Sequence, residues 1–325
     1  MTRTALVTGG AGFIGSHVAD LLLNEGYAVT VMDDLTSGNR DHVPEAAHFH
    51  QIDITSPEAA AVVREGRFDV VCHLAAQIDV RKSVADPAYD ARVNIGGTLN
   101  LLEAVRTSRT STRFVFSSTG GAVYGDLVTL PTEEGSAKDP QSPYGSAKLS
   151  TEYYMGYYAR VHGLDTVALR YANVYGPRQD PHGEAGVVAI FCGRILDGTP
   201  LTVFGDGKQT RDYVYVGDVA RANLLAARAV LPPATTLDSR AFNIGTSVET
   251  NVLELAETLM RVAGADADVR HAAARPGEQL RSAVHIGKAG RALGWRPEVA
   301  LGDGLQRTFD WFAARRNTPV GGSRA

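Results

Sequence analysis

At 325 residues, 44% apolar and 21% charged, the chain has the composition of a soluble globular protein, with room for one large α/β domain and a smaller one. Its net charge of −4 and isoelectric point near 6.1 exclude a general affinity for nucleic acid or an anionic membrane, so an anionic ligand must be held by local arginines. No run of about 18 apolar residues exists, which excludes a transmembrane helix.

The chain opens on a strand (Thr4-Ala5-Leu6-Val7-Thr8) with no charged, apolar, small-residue leader pattern ahead of it. A helix over 12–24, strands over 28–33 and 48–52, and a helix over 57–65 follow, then a strand over 69–74, a helix over 92–106 and a strand over 113–117. The strands are apolar without alternation, as expected when helices cover both faces of a parallel sheet. This order predicts a doubly wound, Rossmann-type α/β domain over residues 1–175, with 164–169 still in its sheet. Beyond residue 175 the pieces are shorter and richer in Gly and Pro: helices near 187–196, 218–230 and 252–262, and a strand over 201–204. They predict a smaller C-terminal α/β substrate-binding region over 176–315, part of which returns to the first sheet, and a frayed tail over 316–325. Cys72, inside an apolar run, and Cys192 are the only cysteines. They predict neither a disulfide framework nor a Cys-based metal site and point to the reducing cytoplasm. Nine histidines without ligand spacing give no metal site.

Between the first strand and helix, Gly9, Gly12 and Gly15 form a G-x-x-G-x-x-G run. Such a turn lets the backbone approach a pyrophosphate that faces a helix N-terminus. Asp33 ends the second strand, 18 residues after Gly15. A carboxylate there accepts from both adenosine ribose hydroxyls and repels a 2′-phosphate, and Asp34 adds to that charge, so the cofactor expected is NAD. Tyr144 and Lys148 lie four apart on one helix face after Pro143. A neighbouring ammonium and a cationic nicotinamide would both pull the phenol from its usual pH of about 10 toward neutrality. Upstream, Ser117-Ser118-Thr119 closes a strand, where active-site groups of open α/β sheets collect.

With Leu74-Ala75-Ala76, Asn94 and Val123-Tyr124-Gly125, these motifs resemble the extended short-chain dehydrogenases/reductases. The downstream Arg170-Tyr171-Ala172-Asn173-Val174-Tyr175-Gly176-Pro177, the run from Gly205 to Tyr213, and Arg275-Pro276-Gly277-Glu278 are similar to the UDP-glucose (UDP-galactose) 4-epimerases. The resemblance spans residues 4–313. It implies an NAD-dependent isomerase that inverts C4 of a UDP-hexose through a 4-keto sugar and works as a homodimer through two helices of the first domain.

It further implies that Tyr144 is the acid/base, Lys148 its partner and Thr119 the third member, 25 residues ahead of Tyr144. Gly120-Gly121 lengthens the stretch before Val-Tyr-Gly by one residue, so Ser118 is an alternative. For the cofactor it implies Phe13 and Ile14 beside the glycines, Asp33, Asp34, Ser37 and Gly38 at the ribose, and Asp53 and Ile54 at adenine. Leu74, Ala75, Ala76, Gln77, Asn94, Ser117 and Tyr171 are implied along the nicotinamide side. Ile78 stands where many relatives carry a cofactor-contacting lysine. For the substrate it implies Asn173, Arg211 and Arg275 on the diphosphate, and Val188, Val203, Phe204, Tyr213 and Glu278 around the nucleoside.

Ser282 falls at the position that gates the sugar pocket, and its small side chain suggests room for an N-acetylhexosamine. Arg178 and Arg194 keep UDP-glucuronic acid open as a substrate. Sugar 4,6-dehydratases and glucuronate decarboxylases need acidic groups after the catalytic Thr; Gly120-Gly121 offers none.

Overall fold

The computed structural model describes residues 2–108, 110–126, 128–181, 186–274 and 279–316. The end of the chain beyond residue 316, read above as a tail, lies outside the described residues. The first half mostly alternates strands and helices: β1 (Thr4–Thr8), α1 (Phe13–Asn24), β2 (Ala28–Asp33), β3 (His48–Gln51), α2 (Pro57–Gly66) and β4 (Val70–His73). Next come two short helices, α3 (Val80–Ala85) and α4 (Pro87–Ala91), then α5 (Thr98–Thr107), β5 (Arg113–Thr119), α6 (Pro143–His162) and β6 (Asp165–Tyr171). The second half holds β7 (Asn173–Tyr175), α7 (Val187–Asp197), β8 (Leu201–Phe204), β9 (Thr210–Arg211), β10 (Tyr213–Tyr215) and α8 (Val216–Arg228). It closes with β11 (Ala241–Ile244), β12 (Thr250–Asn251), α9 (Val252–Ala263), β13 (Val269–Ala272), α10 (Gly287–Leu293) and α11 (Leu301–Arg316).

Seven parallel strands form one sheet in the order β11-β6-β5-β4-β1-β2-β3. Chain order reverses between β1 and β4, and ligands of such sheets bind outside the strand ends at that switch point. One apolar layer packs α1, α8 and Trp295 on one face, with Val7, Val115, Val167 and Phe242 beneath them. The opposite layer packs α2, α5 and α6 over Leu6, Val71, Phe114 and Phe116. A third cluster, around Phe191, Leu201, Leu255 and Leu305, is the core of the smaller lobe. After that lobe begins, α8 and β11 return to the first layer, β11 pairing with β6 from Ala241↔Ala168 to Ile244↔Tyr171.

Local chemistry sets the elements around the site. Ser142 caps α6 by accepting from the Gly145 N–H, Pro143 occupies the first turn, and Gly163 ends the helix in a left-handed conformation. The helix expected over 92–106 is interrupted: residues Arg92–Gly97 form a π-helical stretch before α5, and α3 and α4 precede it, capped by Asp79 and Asp86. Such wide turns recur at functional sites.

Candidate active site

β1 ends at Thr8, and the chain turns through Gly9 (φ +68°) toward α1. A Cβ at Gly9 would lie 2.6 Å from the Ala75 nitrogen, and one at Gly15 would strike the Gly9 carbonyl oxygen, 2.8 Å from its carbon. Only glycine permits both approaches. Helix α1 starts after Gly12 with no side-chain cap, so its first-turn N–H groups are left for an anion. Across the turn, Asp33 accepts from the Ala11 N–H at 3.0 Å through one oxygen and from the Leu35 N–H at 2.9 Å through the other. Each oxygen keeps a lone pair for a ribose hydroxyl. Burial holds this carboxyl above its usual range, against the pull of the two N–H donors. Gly38 keeps the space beside it clear, since a Cβ there would lie 2.7 Å from Oδ1.

Glycine turn, uncapped helix and free carboxylate lone pairs together fit a dinucleotide with an unphosphorylated ribose. Asp34 instead ties its own turn through the Thr36 N–H at 2.8 Å, and Ser37 is exposed. Asp53 likewise accepts from the Thr55 N–H at 2.8 Å. The Ile54 side chain lies in the core against Gly97, and its carbonyl accepts from the Asn100 amide.

At the other end of the cleft, the loop leaving β5 lies against the first turn of α6: a Cβ at Gly145 would sit 2.7 Å from the Ala122 carbonyl oxygen. This brings the Thr119 strand end and Tyr144 to one place. Lys148 is buried, and its Nζ donates to the Ser117 carbonyl at 2.9 Å, 4.7 Å from the Phe116 ring centre and 5.7 Å from that of Tyr144. Burial, and next the Asp90 carboxylate, raise Tyr144. Burial also pushes Lys148 down to about 8, with Asp90 and Glu152 holding it up. The ammonium is anchored on a backbone carbonyl and does not engage the phenol oxygen.

The two candidate hydroxyls separate. Ser118, 3% exposed, donates to Glu152 Oε1 at 2.5 Å and points into the α6 side of the sheet, which removes it from the cleft. Thr119 is partly exposed, and its Oγ1 and Asn173 Oδ1 flank Gly121, 3.8 and 3.9 Å from where a Cβ there would stand. Beneath them Arg170, fully buried, donates to both oxygens of Glu152, to Asp238, to the Tyr124 hydroxyl and to the Glu134 carbonyl.

Three of the expected cofactor residues make internal hydrogen bonds. The Asn94 side chain accepts from the Gln77 N–H and donates to the Gln77 carbonyl, both at 2.9 Å, and donates to Asp90 Oδ1 at 3.0 Å. It therefore positions Gln77, whose own amide bonds Asp79 and Asp90. Ser117 and Tyr171 share a 3.1 Å hydrogen bond, and Asn223 donates to the same phenol oxygen at 2.8 Å. Leu74, Ala75 and Ala76 run half-buried out of β4 beside Gly9, and Phe13 and Ile14 are half-buried on α1, while Ile78 is exposed.

On the substrate side, Val188 and Val203 are core residues of the smaller lobe, which leaves only their backbone to meet a ligand. Phe204 is half-buried, Tyr213 buried edge-on to Tyr175, and Arg211 donates to the Thr210 carbonyl at 2.8 Å. Ser282 is buried, its N–H on the Thr210 carbonyl. Arg275 and Glu278 lie outside the described residues. The acids of this region are engaged: Asp212 accepts from Thr246, Ser247 and Val284, and Glu134 from the Asn243 N–H. Among the described residues no group of His, Cys, Asp and Glu could hold a metal ion. No helix among them is long and apolar enough to cross a membrane.

Residues 5–245 match the model of the NAD dependent epimerase/dehydratase family. The chain belongs to that family. A UDP-glucose 4-epimerase of Mycolicibacterium smegmatis is 42% identical over 94% of this chain and 97% of its own length. The crystal structure of a Thermotoga maritima UDP-glucose 4-epimerase with UDP-glucose superposes with a TM-score of 0.92, at 46% identity over 97% of this chain and 100% of that one. A Thermus thermophilus UDP-glucose 4-epimerase in complex with NAD gives 0.88, at 43% identity over 96% and 99%.

Sequence reasoning passed over Ser83, whose hydroxyl accepts the Tyr144 N–H at 3.3 Å, and also His73, Asp90 and Glu152. One signal was available: His73 is a polar residue closing an otherwise apolar strand.

Proposed function

We propose that this member of the family inverts C4 of a UDP-hexose, interconverting UDP-glucose and UDP-galactose. The observation that carries the reading is the end of β5. Thr119 is partly exposed there, and Gly120-Gly121 follow it without an acid that could drive elimination, which favours an epimerase over a dehydratase on this scaffold. NAD, when bound, supplies the acceptor and donor of the C4 hydride. Tyr144 takes and returns the proton of the sugar 4-oxygen, and Thr119 Oγ1 fixes that oxygen while the carbon is a ketone. Lys148, anchored on Ser117, keeps a positive charge beside the phenol and opposes the effect of burial on it. Asn173, Arg211 and Arg275 are assigned to the diphosphate.

A second reading rests on Ser282. Its small side chain at the sugar end favours entry of UDP-N-acetylglucosamine. The glucuronic acid reading loses its support, because Arg178 pairs with Asp20 at 2.7 Å and Arg194 donates to the Pro200 carbonyl and the Thr202 hydroxyl. Exposed Tyr153, Tyr154, Tyr157 and Val161 on α6 support a homodimer through that helix, and two free, buried cysteines support work in the cytoplasm.

The test is proton NMR of the purified protein with UDP-glucose, UDP-glucuronic acid and UDP-N-acetylglucosamine in separate tubes, without added cofactor. Appearance of UDP-galactose supports the proposal, and turnover of the N-acetylated sugar adds the second reading. A stable keto or decarboxylated product, or no turnover of UDP-glucose, refutes the main reading.

A further inference from the structure

We propose that His73 is a positioning residue, a neutral pin held in one tautomer that fixes the glycine turn, the exit of β4 and the Asn94 turn relative to one another. The argument is one of donor and acceptor accounting. His73 closes β4 with Nδ1 2.7 Å from Thr8 Oγ1 and Nε2 2.9 Å from Thr98 Oγ1. Thr98 gives its only proton to the Asn94 carbonyl at 2.7 Å, so toward His73 its oxygen can only accept. Nε2 therefore carries the proton, and Nδ1, left as acceptor, takes the Thr8 hydroxyl proton. Thr8 Oγ1 is then free to accept from the Ala75 N–H, which it does at 3.2 Å.

The result is a directed chain: Ala75 N–H to Thr8, Thr8 to His73, His73 to Thr98, Thr98 to the Asn94 carbonyl. Every proton has one place to go. A second Nδ1 proton would leave the Thr8 hydroxyl hydrogen without this acceptor. The three side chains of this chain, Thr8, His73 and Thr98, are buried, as is Asn94, which ends it with its carbonyl. The imidazole also stacks on Phe116 at 5.9 Å, and burial with the nearby Lys148 ammonium pushes it down to about 3, so it stays neutral at working pH.

Both ends of the chain bear on the cofactor cradle. Thr8 precedes Gly9, and Ala75 is the residue against which Gly9 is packed. Asn94 holds Gln77 through its side-chain Oδ1 and Nδ2, and the Arg92–Gly97 stretch that carries it packs against α6. Through this ring the glycine turn is tied to the turn that lies against the helix carrying Tyr144 and Lys148. The inference rests on the dinucleotide site and is independent of which sugar is turned over.

Two experiments test it. In the wild-type protein, long-range proton–nitrogen NMR of the histidine rings, with His73 identified by its contacts to Phe114 and Phe116, should show a neutral Nε2–H imidazole unchanged from about pH 6 to 9. Titration within that range, or an Nδ1–H ring, overturns the proposal. His73→Phe keeps the stacked ring and removes both hydrogen bonds. Its dissociation constant for NAD, measured by calorimetry without sugar, should rise about tenfold or more, with amide exchange accelerated in 74–79 and 92–98. At saturating NAD, kcat should fall by less than affinity does. Unchanged NAD affinity, or a loss confined to kcat, also overturns it. Absence of NAD binding by the wild type would instead refute the dinucleotide site.

Discussion

Replacing Arg170 by methionine isolates the buried charge network beside the end of β5. The guanidinium is fully buried, bonds both oxygens of Glu152 and one of Asp238, and satisfies the Tyr124 hydroxyl and Glu134 carbonyl. Methionine fills much of the volume but leaves the Glu152 carboxylate, whose side chain is 1% exposed, with Ser118 as its one donor among the described residues. Stranding a buried charge in this way costs about 3–5 kcal/mol. At roughly 2 °C per kcal/mol for a chain of this size, Tm should fall by about 6–10 °C at pH 7.

The double variant Arg170→Met with Glu152→Leu, which removes both charges, should be more stable than Arg170→Met alone. Differential scanning calorimetry of the wild type and the two variants at pH 7 measures this. Equal stability of single and double variants would refute the reasoning.

On the proposed role of Thr119, Thr119→Ala should lower kcat by about 10²-fold with little change in Tm, since the residue is partly exposed, whereas Ser118→Ala should act mainly on Tm through Glu152. Steady-state kinetics beside thermal scans read the two; the reverse pattern would return the catalytic role to Ser118. Asp90→Asn removes a charge that raises both Tyr144 and Lys148, so both limbs of the pH–rate profile should move to lower pH. An unmoved profile would show that the Asp90 charge does not reach the pair. Gly15→Ala gains about 1 kcal/mol of helix propensity, but the new Cβ meets the Gly9 carbonyl and lies 3.0 Å from Gly10 Cα. Overpacking of about 1–3 kcal/mol should win, lowering both Tm and NAD affinity in calorimetry; a higher Tm with full NAD binding would refute the clash.

The sequence by itself determined the sheet and both edges of the cleft. Apolar runs such as Val70-Val71-Cys72 can be stable only between two helical layers, and Gly9 and Gly15 sit where any side chain would collide, so these features are written in single residues. Tyr144 and Lys148 were legible for the same reason: helical spacing puts them on one face of α6 before any tertiary contact forms. Tertiary structure alone decided the direction of each hydroxyl and amide. Ser118 and Thr119 are neighbours in sequence, but the strand pleat turns one into the Glu152–Arg170 network and leaves the other partly exposed on the opposite side. Asn94 and Tyr171, expected to face the cofactor, are claimed by Gln77, Asp90, Ser117 and Asn223, partners brought from elsewhere in the chain. His73 gained its single tautomer in the same way, because a proton's position depends on the whole ring of donors and acceptors around it. That ring closes only when β1, β4 and α5 have packed.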